Sequence, residues 1–169
     1  MMRKLMGAPV IVASSVLLVG CPSGTGSLPA GNLLDLINQK RIDAGCAKVS
    51  GHGQLLVAAE RHAVDIRDHP GHFGAPGTPP LNDIHIGTDG SNPGARIDDA
   101  GYSPKSLWGE IVYTAAGPPN NTEQAAINWW MNSPPHRANI ENCGFKDAGV
   151  GLLYPGGVQW IAVVDFATH

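Results

Sequence analysis

The stretch WWMNSPPHRANI, residues 129–140, places a histidine and an arginine directly behind two prolines and a serine. Ser133 is a typical N-cap residue and Pro134 a typical first-turn residue, so the stretch predicts a short helix with His136 in its first turn. A histidine on so rigid a stem is held in one direction, which suits a side chain that meets partners from elsewhere in the fold. His136 is therefore the first candidate for a functional site.

Two further side chains have the chemistry to join it. Glu110 is the one acid in the apolar stretch LWGEIVYTA, where a carboxylate is costly unless it is paired with a cation or a histidine. His85 lies between two isoleucines and is followed by a glycine-rich turn. The residues alone do not establish that these three side chains meet.

The elements that must position them are mostly helical. Apolar residues at helical spacing predict helices over 32–45 and 54–67, and shorter ones over 91–101 and 122–132. His62 falls on the apolar face of the second helix, where a hydrogen-bonded structural histidine is the favoured interpretation. Two β-rich runs around YPGG predict a hairpin near the end of the chain. Helices followed by a hairpin, without regular βαβ alternation, indicate an α+β domain with an antiparallel sheet.

The first twenty residues have the pattern of a secretory signal: a basic head, MMRK, and then an apolar run of 16 residues. The run ends in LVGC, which resembles a bacterial lipobox and predicts lipidation of Cys21; the alternative is a plain signal cut at another site. Residues 21–32 are rich in Gly, Ser and Pro, as in a flexible tether. We therefore expect an exported domain over 33–169, held by lipid to the extracytoplasmic face of the membrane.

Charge and cysteine content narrow the class of protein. Removal of residues 1–20 takes away Arg3 and Lys4 and leaves nine basic against 14 acidic residues, a net charge of −5, with no Lys/Arg run. We therefore do not expect nucleic acid to be a partner.

The cysteine content predicts a disulfide. If Cys21 carries lipid, Cys46 and Cys143 remain, and an even pair in an exported protein indicates a disulfide; two free thiols are the alternative.

The ordered set LINQKRIDAG, LLVAAERHAVDI, HIGTDGSNPGARIDDAGY, WGEIVY and WWMNSPPHRANIENCGFKDAGVG resembles the CAP superfamily. This superfamily comprises the cysteine-rich secretory, antigen 5 and pathogenesis-related proteins, and the chain is similar to their shorter bacterial form, most of all to actinobacterial members. The resemblance covers residues 33–166. It implies a three-layer α-β-α sandwich with a mainly antiparallel sheet and a polar cleft.

The resemblance also implies which residues share that cleft. His85 corresponds to the first cleft histidine, Glu110 to the cleft glutamate and His136 to the second histidine. Arg137 and Asn139 are expected to have structural roles, tying the turn of His136 to the domain. Eukaryotic relatives have a second cleft glutamate on the helix with the tryptophans, whereas the corresponding sequence WMNS has no acid.

Two functions follow as hypotheses. One is a binding module of the cell envelope for a small or lipid-like molecule. In this hypothesis His85 and His136 are candidate ligands of Zn²⁺ or another divalent cation, and Glu110 is either a third metal ligand or the residue that orients a histidine. The other is a hydrolase of a cell-envelope substrate, with Glu110 as candidate catalytic base. The motifs HExxH and GxSxG are absent, and Ser133 is expected to be occupied as a helix cap, so we favour the binding module.

Overall fold

The computed structural model of the chain describes residues 31–154 and 159–169. Six helices and four strands are formed within these residues. The predicted signal peptide, the lipidation site and most of the tether lie outside them, as does the turn of the hairpin. The helices are α1 (Gly31–Asp43), α2 (Gly53–Asp68), α3 (Pro70–Phe73), α4 (Pro93–Asp99), α5 (Glu123–Asn132) and α6 (Pro134–Ile140); the strands are β1 (Ser50–Gly51), β2 (Leu107–Ala116), β3 (Asp147–Leu153) and β4 (Gln159–Thr168).

The four strands form one sheet in the order β1-β3-β4-β2. β4 pairs antiparallel with both β3 and β2, and β3 and β4 form the predicted hairpin. β1 pairs parallel with β3, so the sheet is mixed rather than purely antiparallel. A two-residue strand gave no periodic pattern from which its direction could be predicted.

Helices cover both faces of the sheet, which confirms the α+β sandwich. One core combines apolar residues of α1, α5 and α6 with one face of the strands. Two smaller clusters place α2, α3 and α4 against the other face. Alternate residues of β2 and β4 therefore enter different cores, and both strands are mostly apolar on both sides. No helix in the described part of the chain is long and apolar enough to cross a membrane.

Helix α2 lies unusually close to the sheet because β3 presents glycines to it. A Cβ atom built on Gly149 would collide with the backbone at Leu55 and Leu56, and one on Gly151 would lie 2.5 Å from the backbone carbon of Ala59. Glycine is therefore required at these two strand positions by close backbone approach. Because α2 lies so close to the sheet, Nε2 of His62 on α2 is 3.9 Å from Oε1 of Glu110 on β2.

The predicted disulfide is confirmed. Cys46 and Cys143 are bonded, with their Cα atoms 4.9 Å apart, and join the segment after α1 to the segment after α6. Arg41 lies near the bridge and is fully buried. Its guanidinium donates to the backbone oxygens of four residues: Ala47, Ile140, Asn142 and Phe145.

Candidate functional site

Glu110 is the centre of the polar cluster, and the structure brings His85 directly to it. Glu110 is on β2 with its side chain on the α2 side of the sheet and is 5% exposed. His85 Nδ1 lies 2.8 Å from Glu110 Oε1, and Arg96 Nη2 donates to Glu110 Oε2 at 2.7 Å. Both carboxylate oxygens therefore have a charged or imidazole partner.

Arg96, on α4, also holds the loop that carries His85. Its Nη1 and Nη2 donate to the His85 backbone oxygen, each at 3.1 Å, and Nη1 also donates to the Ser91 oxygen at 2.8 Å. One buried guanidinium thus fixes both the backbone of His85 and the carboxylate that contacts the His85 ring. A carboxylate on Nδ1 leaves Nε2 of His85 as the nitrogen with a free lone pair.

His136 reaches the same cavity from the other side. A cleft of about 460 Å³ is lined by His85 and His136 together with aromatic, apolar and small residues: Gly77, Thr78, Pro79, Pro80, Ile84, Val112, Tyr113, Thr114 and Trp129. Burial and the neighbouring His85 both lower the pKa of His136, so its ring is neutral at neutral pH. The two imidazoles and an aromatic wall face one space.

Ser133 has a different role from the predicted one. It occupies the N-cap position of α6, but its side chain makes no capping hydrogen bond. Its hydroxyl lies 2.7 Å from His136 Nδ1 instead, and the indole of Trp129 packs against the same ring, with centroids 4.8 Å apart. With Nδ1 in contact with Ser133, Nε2 is the ring nitrogen of His136 that has no hydrogen-bond partner among the described residues.

The residues expected to be structural are positioned as follows. His62 is fully buried, its Nε2 lies 2.7 Å from the Ile84 oxygen, and burial lowers the pKa of the ring. It does not bond Glu110, whose Oε1 is 3.9 Å away. Arg137 Nε donates to the Met131 oxygen at 2.8 Å, and Asn139 Nδ2 donates to the Pro135 oxygen at 3.3 Å. Both contacts are within the α5–α6 corner that carries His136.

The loop that follows α3 contributes to the wall of the cleft. Residues 77–80 line the cavity together with the two imidazoles. The amide of Gly77 donates to Thr114 Oγ1 at 3.2 Å, and a Cβ on Gly77 would lie 2.8 Å from the Ala116 nitrogen. Gly77 has φ +84°, so both its conformation and its contact with β2 favour glycine.

Asp165 is a second buried acid that the sequence analysis did not identify. It is the cross-strand partner of Glu110 and is fully buried. Neither of its oxygens has a hydrogen-bond partner among the described residues, and a proton on Asp165 would allow it to donate to Glu110. Burial, and then the charge of Glu110, raise its pKa well above the ordinary range of an aspartic acid. Asp165 is the single acid in the apolar run WIAVVDF, and a single acid in an apolar run is the pattern by which Glu110 was identified.

Replacement of Asp165 by asparagine should stabilise the protein at neutral pH by about 1–3 kcal/mol, because the amide can donate to Glu110 without having to lose a charge. A raised folded-state pKa means that the contribution of Asp165 is fully present below its unfolded value and is lost as pH rises through the folded value. The gain in the variant should therefore grow from acidic to neutral pH. Urea unfolding at a series of pH values measures this.

The control is Asp98→Asn, since Asp98 is exposed on α4 and should give no such pH-dependent gain. An Asp165→Asn protein that is less stable than the wild type at every pH would show that Asp165 has an essential charged role.

The described residues contain no site at which three protein side chains could hold a metal ion. Glu110 uses one oxygen on His85 and the other on Arg96, which fits the orienter role better than that of third ligand. The Nε2 atoms of His85 and His136 remain as the available donors.

Comparison with known proteins agrees with this architecture. The family model described as CAP, cysteine-rich secretory protein family, matches residues 34–166. No curated protein sequence matches the chain significantly. Among solved structures, an outer surface protein from Borrelia burgdorferi is 20% identical with a TM-score of 0.67, covering 82% of this chain and 91% of that one.

An extracellular protein from Bacillus anthracis that contains an SCP domain is 23% identical with a TM-score of 0.63. That match covers 82% of this chain and 40% of the other, so the chain spans less than half of that relative. At these identities, the likeness establishes a shared fold. Together with the family match over most of its length, it shows that the chain belongs to the CAP, or cysteine-rich secretory protein, family.

Proposed function

We propose that this chain is an exported binding protein of the cell envelope whose cleft holds a small ligand with an apolar body and a polar group. The apolar part would contact Trp129, Tyr113 and Val112, and the polar part would reach the imidazoles of His85 and His136. The observation that carries the proposal is that each carboxylate oxygen of Glu110 already has a partner, His85 on Oε1 and Arg96 on Oε2. A carboxylate bound in this way orients its neighbours and is poorly placed to take a proton from water.

The same observation weighs against the hydrolase. A general base must be within hydrogen-bond reach of the proton it abstracts, and both oxygens of Glu110 already have partners. Ser133 is not among the residues that line the cleft, which disfavours it as a nucleophile for a ligand held there. The direct test is turnover of peptidoglycan and ester libraries by wild type and Glu110→Ala. Turnover by the wild type that is lost in the variant would establish the enzyme.

Within the binding function, we propose that His85 and His136 hold a divalent cation such as Zn²⁺ through their Nε2 atoms. A carboxylate on the other nitrogen of a ligating histidine is a recurrent supporting arrangement, and His85 has it in Glu110. Ser133 gives His136 an equivalent support. The cation would supply a site for a ligand oxygen, and Trp129 would shield one side of it.

Titration calorimetry with Zn²⁺ should show binding to the wild type that His85→Ala and His136→Ala each reduce far more than Glu110→Gln does. Loss of a supporting residue typically weakens binding by about 10–100-fold, and loss of one of two protein ligands should exceed this. Binding needs unprotonated imidazoles, so affinity should fall at acidic pH. His72→Ala is the matched control, and equal binding by all the variants would contradict the site.

We also propose that Cys21 carries the membrane anchor. The support is the LVGC ending of the apolar run, and the two similar proteins described above are named as an outer surface protein and an extracellular protein. Cys21→Ser should move the protein from the membrane to the soluble fraction, because the several acyl chains of a lipoprotein bind firmly where one alone is marginal. Intact-mass analysis of the wild type that finds no lipid and a cut elsewhere would contradict this.

A further inference from the structure

The outer edge of β2 borders the cleft, because residues 112–114 of this strand line it. In the strand order β1-β3-β4-β2, one side of β2 has no neighbouring strand among the described residues. The oxygen of Thr168 accepts from the amide of Ser106, which directly precedes β2, so the even-numbered residues of β4 bond toward β2. Ala162 is one of these residues and pairs with Tyr113. The odd-numbered residues of β2 therefore bond to β4, and the even-numbered residues direct their amide and carbonyl groups outward.

Val112 and Thr114 are the two outward-directed residues that line the cleft. The oxygen of Val112 accepts from the indole nitrogen of Trp130 at 3.1 Å, as its outward direction allows. Thr114 is half-buried, and its hydroxyl accepts from the Gly77 amide at 3.2 Å. Within the described residues, the backbone amide and carbonyl of Thr114 have no hydrogen-bond partner, because β4 lies on the other side of the strand. One donor and one acceptor of an open strand edge therefore face the cleft.

We propose that the ligand of the cleft is an extended, uncharged peptide segment that pairs with Thr114 as an added strand. This inference rests on the binding function proposed above and names the class of ligand. In an antiparallel pair, the peptide residue opposite Thr114 donates its amide to the Thr114 oxygen and accepts from the Thr114 amide. The exposed edge of a sheet is a recurrent template for binding extended peptides in this way. An acyl chain has no amide to supply both bonds.

The other walls of the cleft offer apolar contact to the side chains of such a peptide. Trp129 lines the cleft with 49% of its surface exposed, and the ring of Tyr113 packs against it, with centroids 5.7 Å apart. Pro79 and Pro80 also line the cleft, and proline has no amide hydrogen with which to pair with a strand edge. The loop that carries these prolines therefore adds apolar surface without supplying a donor to Thr114.

The charge of the lining favours uncharged side chains. The described residues that line the cleft include no Asp, Glu, Lys or Arg. Glu110 lies behind His85 and is already paired with Arg96. A charged side chain in the cleft would lose water without gaining a partner of opposite charge, which is costly. The volume of about 460 Å³ is within the ordinary range of ligand pockets.

The test is a nuclear magnetic resonance titration of the isotopically labelled protein with the blocked tripeptide acetyl-Val-Leu-Val-amide. Blocked ends remove the terminal charges, and valine favours extended backbone. The Thr114 amide should shift saturably and exchange more slowly with solvent when the peptide is bound, together with shifts at Trp129 and His136. Slower exchange at Thr114 reports a new hydrogen bond, which apolar contact alone would not produce.

Methylation of the peptide amides, one at a time, tests the pairing on the wild-type protein. Alternate amides of a strand point to opposite sides, so the loss of affinity should alternate along the peptide. A methyl group on an amide that faces Thr114 should weaken binding about tenfold or more, the effect of losing one hydrogen bond of ordinary strength. A methyl group on an amide that points away should have a much smaller effect.

Two protein variants test the two parts of the site. Thr114→Pro removes the outward amide, and an edge strand tolerates proline at such a position, so it should abolish binding while circular dichroism shows the fold retained. Trp129→Ala should weaken binding more than about tenfold, as for an aromatic residue at the centre of an interface. The matched control is Trp108→Ala, which removes a tryptophan of similar exposure, 44%, outside the cleft lining and should leave the affinity unchanged.

The inference is overturned if the tripeptide leaves the Thr114 amide unchanged, or if every methylated peptide binds as tightly as the unmodified one. Octanoate has an apolar body and a polar group but no amide. If octanoate occupies the cleft and the tripeptide does not, the inference falls while the proposed binding function stands. If the tripeptide, octanoate and Zn²⁺ all fail to bind, the proposed function falls with it.

Discussion

Replacing Cys46 and Cys143 together by alanine should lower the free energy of unfolding by about 4–5 kcal/mol, the chain-entropy value for a loop of nearly 100 residues. The bridge closes 97 residues of chain and so removes many conformations from the unfolded state. The folded state should keep its sheet and its cleft, because neither cysteine lines the cleft. Denaturant unfolding of the oxidised wild type and of the double variant measures the difference.

Cys21→Ser provides the control for this experiment. It also removes a cysteine, but not one of the bridged pair, so the unfolding midpoint should not change. The figure of about 4–5 kcal/mol assumes that the bridge acts through the unfolded chain. A double variant that unfolds at the same denaturant concentration as the oxidised wild type would show that the bridge contributes nothing.

Arg41→Met should destabilise the protein by several kcal/mol, because each buried acceptor left without its donor costs about 1–3 kcal/mol. Methionine can fill most of the space of the side chain, but it leaves the four backbone oxygens that Arg41 binds without their donor. Three of those oxygens lie at the end of α6 or just after it: the oxygen of Ile140, which ends the helix, and those of Asn142 and Phe145, which follow it. The measurement is again denaturant unfolding, with circular dichroism to confirm the fold.

Lys40→Met is the matched control, on the same helix and one residue away. Within the described residues, Lys40 pairs only with Asp43 on the surface, and such a pair is worth at most about 1 kcal/mol. Arg41→Lys should give an intermediate loss, because an ammonium has three donors and cannot reproduce the planar fork. An Arg41→Met protein as stable as the Lys40→Met control would show that the four oxygens are satisfied in another way.

Arg41 and the disulfide support the same junction. The chain after α1 and the segment over 140–145 are held together by the bridge and by the guanidinium. The two losses should therefore be non-additive when they are combined, as is typical of residues that share partners. This junction adjoins α6, so it also stabilises the corner from which His136 enters the cleft.

Local pattern determined most of the secondary structure. Helical spacing of apolar residues identified α1, α2 and α5, and Thr122 caps α5 through the Ala125 amide as its type suggests. The β-rich runs around YPGG identified the hairpin of β3 and β4. These features depend on short stretches of chain, because periodicity and capping are set by neighbours within a few residues. The family, and through it the sandwich, was also evident from the ordered motifs.

Which polar groups contact each other depends on the tertiary structure and does not follow from local sequence patterns. Glu110 and Asp165 are adjacent because β2 and β4 pair in one particular register, and a shift by one residue would place them on opposite faces. Arg96 reaches Glu110 because α4 packs beside β2, and nothing in its own stretch indicates a buried guanidinium. The burial of Arg41 and the bond of Ser133 to His136 have the same origin. A sequence shows which side chains need a partner, whereas packing and register determine which partner each one meets.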